Sequence, residues 1–401
     1  MFTIYPNYFK AEIFEINEIY YSKFALCNIT LLLFILSLIF GFKLFRSWKI
    51  AFTLSFIKSA FFFLFFFFFF NATNFNEIDS LTYIEGTKAL VESVNSVDAF
   101  INFDNFRNYG QGHYFYYIYS FILCKIFGTY IFVPIAFNII STYFGGYLIF
   151  QILKKFYKIN NEVCKVLTII FLLHWENIFW SSFFNLRDIL IQTSILATTY
   201  LFIKFTTDDS KYKILNFGIL LISFSILFIL RVHIAIALFA LFYFLYFFIN
   251  GISSKKILGI LLMSVVGFFY TSEFLNVVIK WLEFFDLGYG LKMLRYFFSP
   301  APFTHLYGGY GYLILSTPLN IILFPFTIIG VIYLYNKNKI TTLILFSVLL
   351  SITFIMSGYE NVQGPRQRLM IIPFLYIFQS IGFLRAISHF KNTFNNKNQL
   401  N

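Results

Sequence analysis

Charge is what this chain has least of. Asp, Glu, Lys and Arg make up 12% of its 401 residues, against about 25% in a soluble domain. A surface so poor in charge cannot face water over most of its area, which excludes a soluble globular protein. Cysteine is almost as scarce. Cys27, Cys124 and Cys164 lie far apart in apolar context and form no CxxC pair, which speaks against a disulfide framework or a zinc site of the usual spacing. No stretch is rich in Gly and Ser, no segment repeats, and no polar domain interrupts the chain, so residues 1–401 are expected to form a single integral domain. A cleavable signal peptide is not expected either. Lys10, Glu12, Glu15, Glu18 and Lys23 precede the first apolar run, where a signal peptide would show a basic start and then a short apolar core.

What the chain has is apolar surface. Hydrophobic residues make up 59%, with 62 Phe and 28 Tyr, and the mean hydropathy is +0.76. A helix that crosses a bilayer needs roughly 20 apolar residues. Candidate runs fall near 25–42, 50–70, 130–153, 163–182, 187–205, 213–230, 233–250, 257–272, 314–335, 340–357 and 369–386. The expected fold class is therefore an all-α polytopic membrane protein of about eleven spans.

The connectors alternate in character. One set is basic: Lys43, Arg46 and Lys49; Lys154, Lys155, Lys158 and Lys165; Lys204, Lys211 and Lys213; Lys255 and Lys256; Lys337 and Lys339; and Arg385, Lys391 and Lys397. Its only acids are Glu162, Asp208 and Asp209. The other set balances its cations with acids. Cytoplasmic loops collect Lys and Arg, so the basic set is expected inside, the N-terminus outside and the C-terminus in the cytoplasm. This distribution also accounts for the net charge of +12 through the bilayer, and no nucleic-acid partner is expected. Lys58, inside the second run, is expected to snorkel towards the interface or to precede a span that begins late. Two outside segments are long, about 71–129 and 273–313. Within them, 113–128 and 273–297 are expected to form helices lying along the outer surface.

Polar groups at a membrane are costly, so each invites an explanation. On this topology they gather at the outer face. Glu77 and Asp79 follow the second span, with Tyr83 one turn on. A carboxylate there suits a general base acting on an acceptor hydroxyl, or one ligand of a divalent cation. Arg187 and Asp188 fill a tight turn between two spans. Asp188 would favour the helix N-terminus it opens, leaving Arg187 for an anion. Arg231 and His233 sit where two further spans meet without a loop. Arg366 and Arg368 precede the last span, against the positive-inside bias. Glu176 lies in the outer half of the fourth span and is expected to face the interior, as a cavity residue or paired to Arg231 or Arg187. His305 is an outside-loop candidate in a supporting role. Arginines that match phosphate geometry, together with a carboxylate on one membrane face, imply a lipid-linked phosphate or pyrophosphate as substrate.

Several features also run in a familiar order between about residues 50 and 390. An acidic residue followed by Tyr (Asp79, Tyr83) precedes an aromatic segment ending in Phe-Gly (Tyr114–Gly128). Next come a span with Asn near its start and a basic end (Asn138, Lys154, Lys155) and an Arg-Asp turn (Arg187, Asp188). Arg366-x-Arg368 then stands before a last span containing Pro373. This order resembles the GT-C glycosyltransferase superfamily, in particular its polyprenyl-phosphate-sugar-dependent enzymes. The resemblance implies a GT-C-like helical bundle and Asp79 as the catalytic carboxylate. It further implies a polyprenyl-linked sugar donor, a glycan or lipid-linked acceptor and a place in the bacterial inner membrane. The chain departs from that pattern in its additional span at 25–42. It departs again where the adjacent acidic pair common in the family is replaced by Ile78-Asp79-Ser80 with Glu77 displaced. The additional span, the Asp79-to-Tyr83 segment and the outside arginines also resemble Wzy-type polymerases, which join undecaprenyl-pyrophosphate-linked repeat units of O-antigen or capsule. A polytopic transporter or flippase is the remaining alternative.

Overall fold

The computed structural model describes residues 21–70, 78–93, 114–207, 213–251, 288–298, 316–357 and 365–398. Every regular element among them is a helix. Nine of these helices are long and apolar enough to cross a bilayer, and the chain is a multi-pass membrane protein. The number becomes ten if the bent pair Asn161–Leu172 and Trp175–Ser182 is one span; its halves meet at 48°. The expected span at 257–272 lies outside the described residues.

The chain divides into two compact units, one of residues 1–144 and 177–189, the other of 145–176 and 190–401. In the first, α1 (Lys23–Phe45) and α2 (Trp48–Leu64) form a tight hairpin. Ser22 caps α1 by accepting from the Ala25 amide, and Arg46 ends it in the left-handed region, φ 55°. Gly41 makes the close approach possible, because a Cβ there would lie 3.2 Å from the Ala51 Cα. Beyond Leu64 the helix widens into a π-type turn of five Phe, Phe65–Phe69. Phe62 and Phe66 turn inward, whereas Phe56, Phe61, Phe68 and Phe69 face outward, as suits lipid.

Lys58 does not snorkel. Its side chain is 1% exposed, its Nζ donates to Thr142 Oγ1 at 2.5 Å, and it lies 5.0 Å from the Tyr143 ring centroid. Ten residues past Trp48 it stands ~15 Å along the helix axis, too deep for its stem to reach either end while it holds Thr142.

The core of this unit joins Leu26, Ile29 and Leu33 of α1 and Phe62 and Phe66 of the second span to α3 (Ile78–Ser93), α4 (Tyr114–Phe127) and α5 (Phe132–Gln151). At 14 residues, α4 reaches only ~21 Å, short of a bilayer core. Gly128 ends it at φ +92°.

The second unit contains α6 (Asn161–Leu172), α8 (Asp188–Thr207) from Leu190, α9 (Lys213–Leu230), α10 (Val232–Asn250), α11 (Gly288–Phe298), α12 (Ser316–Lys337), α13 (Lys339–Ser357), the short α14 (Pro365–Arg368) and α15 (Ile372–Asn398). The remaining helix, α7 (Trp175–Ser182), begins in this unit and continues in the first. α12 and α13 are joined by Asn338 alone. Its Oδ1 caps α13 at the Thr341 amide, and its Nδ2 donates to Phe156 O at 3.0 Å. That bond brings Lys154 and Lys155 to the same end as Lys337 and Lys339, as the alternation of basic connectors requires. α15 is tied to α6 by Tyr376 Oη donating to Leu167 O at 2.6 Å.

Candidate functional site

In the first unit a buried polar network forms where α3, α4, α5 and the turn before α8 converge. The Asn185 amide donates to Ser80 Oγ at 3.1 Å. Tyr116 Oη donates to Asn185 Oδ1 at 2.6 Å, and Asn138 Nδ2 donates to Leu186 O at 3.0 Å. Ser80, Tyr116, Asn138 and Asn185 are fully buried. Burial pushes the Tyr116 phenol well above its ordinary range, so the group keeps its proton. Tyr83 packs its ring on Tyr116, centroids 4.7 Å apart. Phe65 stacks on Phe183 at 4.3 Å, which closes the end of the second span onto the same turn.

The network fixes two backbones together: the first turn of α3, where Asp79 is the second residue, and the turn carrying Arg187 and Asp188. Asp188 opens α8, is 2% exposed, and stands close enough to Tyr116 to raise its phenol further. Arg187 is half-buried. Four sequence candidates therefore share this end of the unit: Asp79, Tyr83, Arg187 and Asp188. Glu77 and His305 lie outside the described residues.

The bonds of Asn185 set the strength of the link. Truncating Asn185 to Ala takes away the acceptor of the Tyr116 hydroxyl proton, leaving that hydroxyl the bond it accepts from Asn138 Nδ2 at 3.3 Å, and removes the side-chain reach of Asn185 to Ser80 O, 3.4 Å away. Burying such unpaired groups costs about 1–3 kcal/mol. The thermal midpoint of Asn185→Ala in detergent is expected to fall clearly below that of Tyr116→Phe. A wild-type midpoint in Asn185→Ala would mean that water reaches the network.

In the second unit Arg368 holds Glu176. Arg368 Nη2 lies 2.5 Å from Glu176 Oε1, its Nε donates to Oε2 at 3.3 Å, and its Nη1 donates to Phe297 O at 3.0 Å. Asn320 Nδ2 donates to the same carboxylate at 3.2 Å. The paired side chains are 0% and 1% exposed. This corrects two expectations. Glu176 does face the interior, and the arginine that grips it is Arg368, where Arg231 or Arg187 was expected. Arg368 does not present its guanidinium outward to a phosphate, because all three guanidinium nitrogens are bonded inward.

Arg366, two residues earlier, is half-buried. Arg231 is the single residue between α9 and α10, as the absence of a loop there implies. Its amide donates to Leu227 O and its carbonyl accepts from Ala235 N. Its Nε donates to His233 Nε2 at 3.1 Å, so this pair is brought together as well.

The sequence candidates thus fall into two groups. Asp79, Tyr83, Arg187 and Asp188 belong to the first unit, and Glu176, Arg231, His233, Arg366 and Arg368 to the second. Sequence reasoning did not join Ser80, Tyr116, Asn138 and Asn185 into one network, although two buried Asn in apolar surroundings carry the signal. Among the described residues no three His, Cys, Asp or Glu converge as a metal-binding group. No family model matches the chain, and neither does any characterised protein or solved structure.

Proposed function

We propose that the chain is a glycosyltransferase of the bacterial inner membrane. It acts at the outer face on undecaprenyl-phosphate-linked sugars in the assembly of surface polysaccharide or lipopolysaccharide, with its N-terminus outside and its C-terminus in the cytoplasm. One observation carries this reading: the Ser80–Asn185–Tyr116 network holds the start of the Asp79 helix against the turn bearing Arg187 and Asp188. Asp79 takes the proton from an acceptor hydroxyl, whose oxygen attacks the anomeric carbon of the donor sugar. The bond between that carbon and the phosphate oxygen breaks, and polyprenyl phosphate leaves. An arginine meets the negative charge that grows on it, and Arg187, on the turn held beside the Asp79 helix, is the candidate within the same unit.

The test is a gel profile of surface glycan from a strain carrying Asp79→Asn beside its parent. The expected result is altered or lost glycan at normal protein level. An unchanged profile removes Asp79 as the base. The form of the change separates the two enzyme readings. A mobility shift in each unit with the ladder intact marks transfer of a side sugar. Loss of the ladder with a single repeat retained marks a polymerase of pyrophosphate-linked units.

The burial of Lys58 favours a second reading, transport or flipping of a lipid-linked glycan. Ionisable groups deep in a membrane commonly line a path or couple to a moving ion. Under that reading Lys58→Met abolishes the surface glycan and Asp79→Asn does not. Under the transferase reading the order is reversed, provided both variants accumulate normally.

A further inference from the structure

Two cations share one aromatic ring at the basic end of the second unit. Lys337 Nζ lies 5.4 Å from the centroid of the Tyr333 ring, and the Arg385 guanidinium carbon lies 5.3 Å from the same centroid. The helix crossing builds this cluster. α12 and α15 come together at Gly330 and Gly382, where a Cβ on either would meet the backbone of the other helix. Tyr333 and Arg385 each stand three residues further on, about one helical turn, and so they meet. Lys337 follows Tyr333 by four residues and therefore lies on the same face of α12. Beside them Lys339 lies 5.9 Å from the Tyr335 ring, and the Asn338 bond to Phe156 O brings up Lys154 and Lys155.

Like charges gathered in this way repel, and their aromatic partners offset only part of that. None of these five cations makes an ion pair among the described residues. Glu162, the acid at this end among those residues, is held by Lys165 at 2.8 Å. Lys337 and Arg385 are exposed, and so is the apolar surface on their membrane side: Ile329 and Ile332 on α12, Phe383 and Leu384 on α15. On helices that cross a bilayer, such residues meet acyl chains. A pair of cations at the edge of that surface stands at headgroup depth. A free phosphate would meet the cations and leave the apolar surface unused, whereas an anion with its own acyl chains matches both.

We propose that Tyr333, Lys337 and Arg385 form a headgroup site for an anionic phospholipid, whose acyl chains lie on the exposed apolar residues of α12 and α15. The ring holds the two cations in place. The guanidinium offers paired donors to the phosphodiester, and the ammonium adds a point charge. The site stands whether or not the chain is a transferase.

The test uses the full chain in micelles of a neutral detergent and reads the binding of an acyl-labelled phosphatidylglycerol. Unlabelled phosphatidylglycerol is expected to compete roughly tenfold better than phosphatidylcholine with the same chains, and millimolar inorganic phosphate is expected not to compete. Lys337→Gln/Arg385→Gln is expected to weaken binding roughly tenfold or more, about fivefold for each cation at an anionic surface, with the thermal midpoint unchanged. Tyr333→Leu keeps both charges and is expected to weaken binding about two- to fivefold, as exposed cation–π contacts are lost. Lys204→Gln/Lys213→Gln removes the same charge where α8 leads into α9 and is expected to bind as wild type does. If this control weakens binding as much as the Lys337/Arg385 pair, net charge alone holds the lipid and the proposal is overturned. Wild-type binding by Lys337→Gln/Arg385→Gln or by Tyr333→Leu overturns it too, as does phosphatidylcholine that competes as well as phosphatidylglycerol. Competition by inorganic phosphate overturns the lipid as the ligand in favour of a free anion.

Discussion

Gly330→Val and Gly382→Val are each expected to prevent accumulation of folded protein, and the corresponding Ala variants to lose about 3 kcal/mol or more, the upper range for overpacking. α12 and α15 cross backbone to backbone. A Cβ on Gly330 would run into the Phe378 carbonyl, with its carbon at 2.7 Å and the Phe378 Cα at 3.0 Å. A Cβ on Gly382 would run into the Phe326 carbonyl and come within 2.8 Å of the Gly330 amide nitrogen. The contact is reciprocal: each helix offers a Gly and, four residues away, the carbonyl that the other Gly receives. Opposing backbone cannot rotate aside as a side chain can. Between helices in lipid, where apolar surface gains nothing by leaving its solvent, such close approach is a main source of association. Only 22% of the apolar stretch of α12 is buried, so few other contacts hold it. Pro325 adds to the dependence, because it removes a backbone bond one residue before Phe326. Gly218 provides the control: a Cβ there meets nothing within 4 Å, and Gly218→Ala should be neutral or stabilising by about 1 kcal/mol from helix propensity. Thermal midpoints in detergent decide the matter. Wild-type behaviour in Gly382→Ala would mean that the helices stand further apart.

The spans were legible because length and hydropathy alone define them. The run at 25–42 became Lys23–Phe45 and that at 340–357 became Lys339–Ser357. The break in the fourth span was not legible. No Gly or Pro marks Leu173 and His174, and an average over the apolar run 163–182 passes across them. Its outcome is local: Leu173 closes α6 at φ −95°, ψ 5°, and His174 donates its amide to Phe171 O. Lys58 shows a different limit. The same four-carbon stem serves snorkelling and burial, and what decides between them is Thr142, 84 residues away.

Partner choice at long range limited the reading of the candidate site as well. That Glu176 must face inward followed from the cost of a carboxylate in lipid. Which arginine it meets depends on a separation of 192 residues that no local pattern reports. The Asn138 and Asn185 network has the same character, since each residue is unremarkable in its own helix or turn. Its bonds run from Ser80 to Asn185 and from Tyr116 to Asn185, between segments the sequence could only place at the same face.

The Glu176–Arg368 pair carries the other large expected effect. Arg368→Ala is expected to destabilise the protein by about 3–5 kcal/mol, because it leaves a buried carboxylate without its cation. The wild-type pair need not be worth that much. Desolvating two charges offsets most of their attraction, so the cost lies in breaking the pair rather than in never having had it. The two side chains are buried almost completely, which leaves water little access for repair. Arg368→Lys keeps the charge but loses the planar fork that reaches both Glu176 oxygens and Phe297 O. It should fall between wild type and Arg368→Ala. The order wild type, Lys, Ala in thermal midpoint, at one pH and in one detergent, is the result expected of a buried bidentate pair. Equal midpoints for Lys and Ala would mean that the fork, rather than the charge, holds the turn. Equal midpoints for Ala and wild type would mean that another cation reaches Glu176.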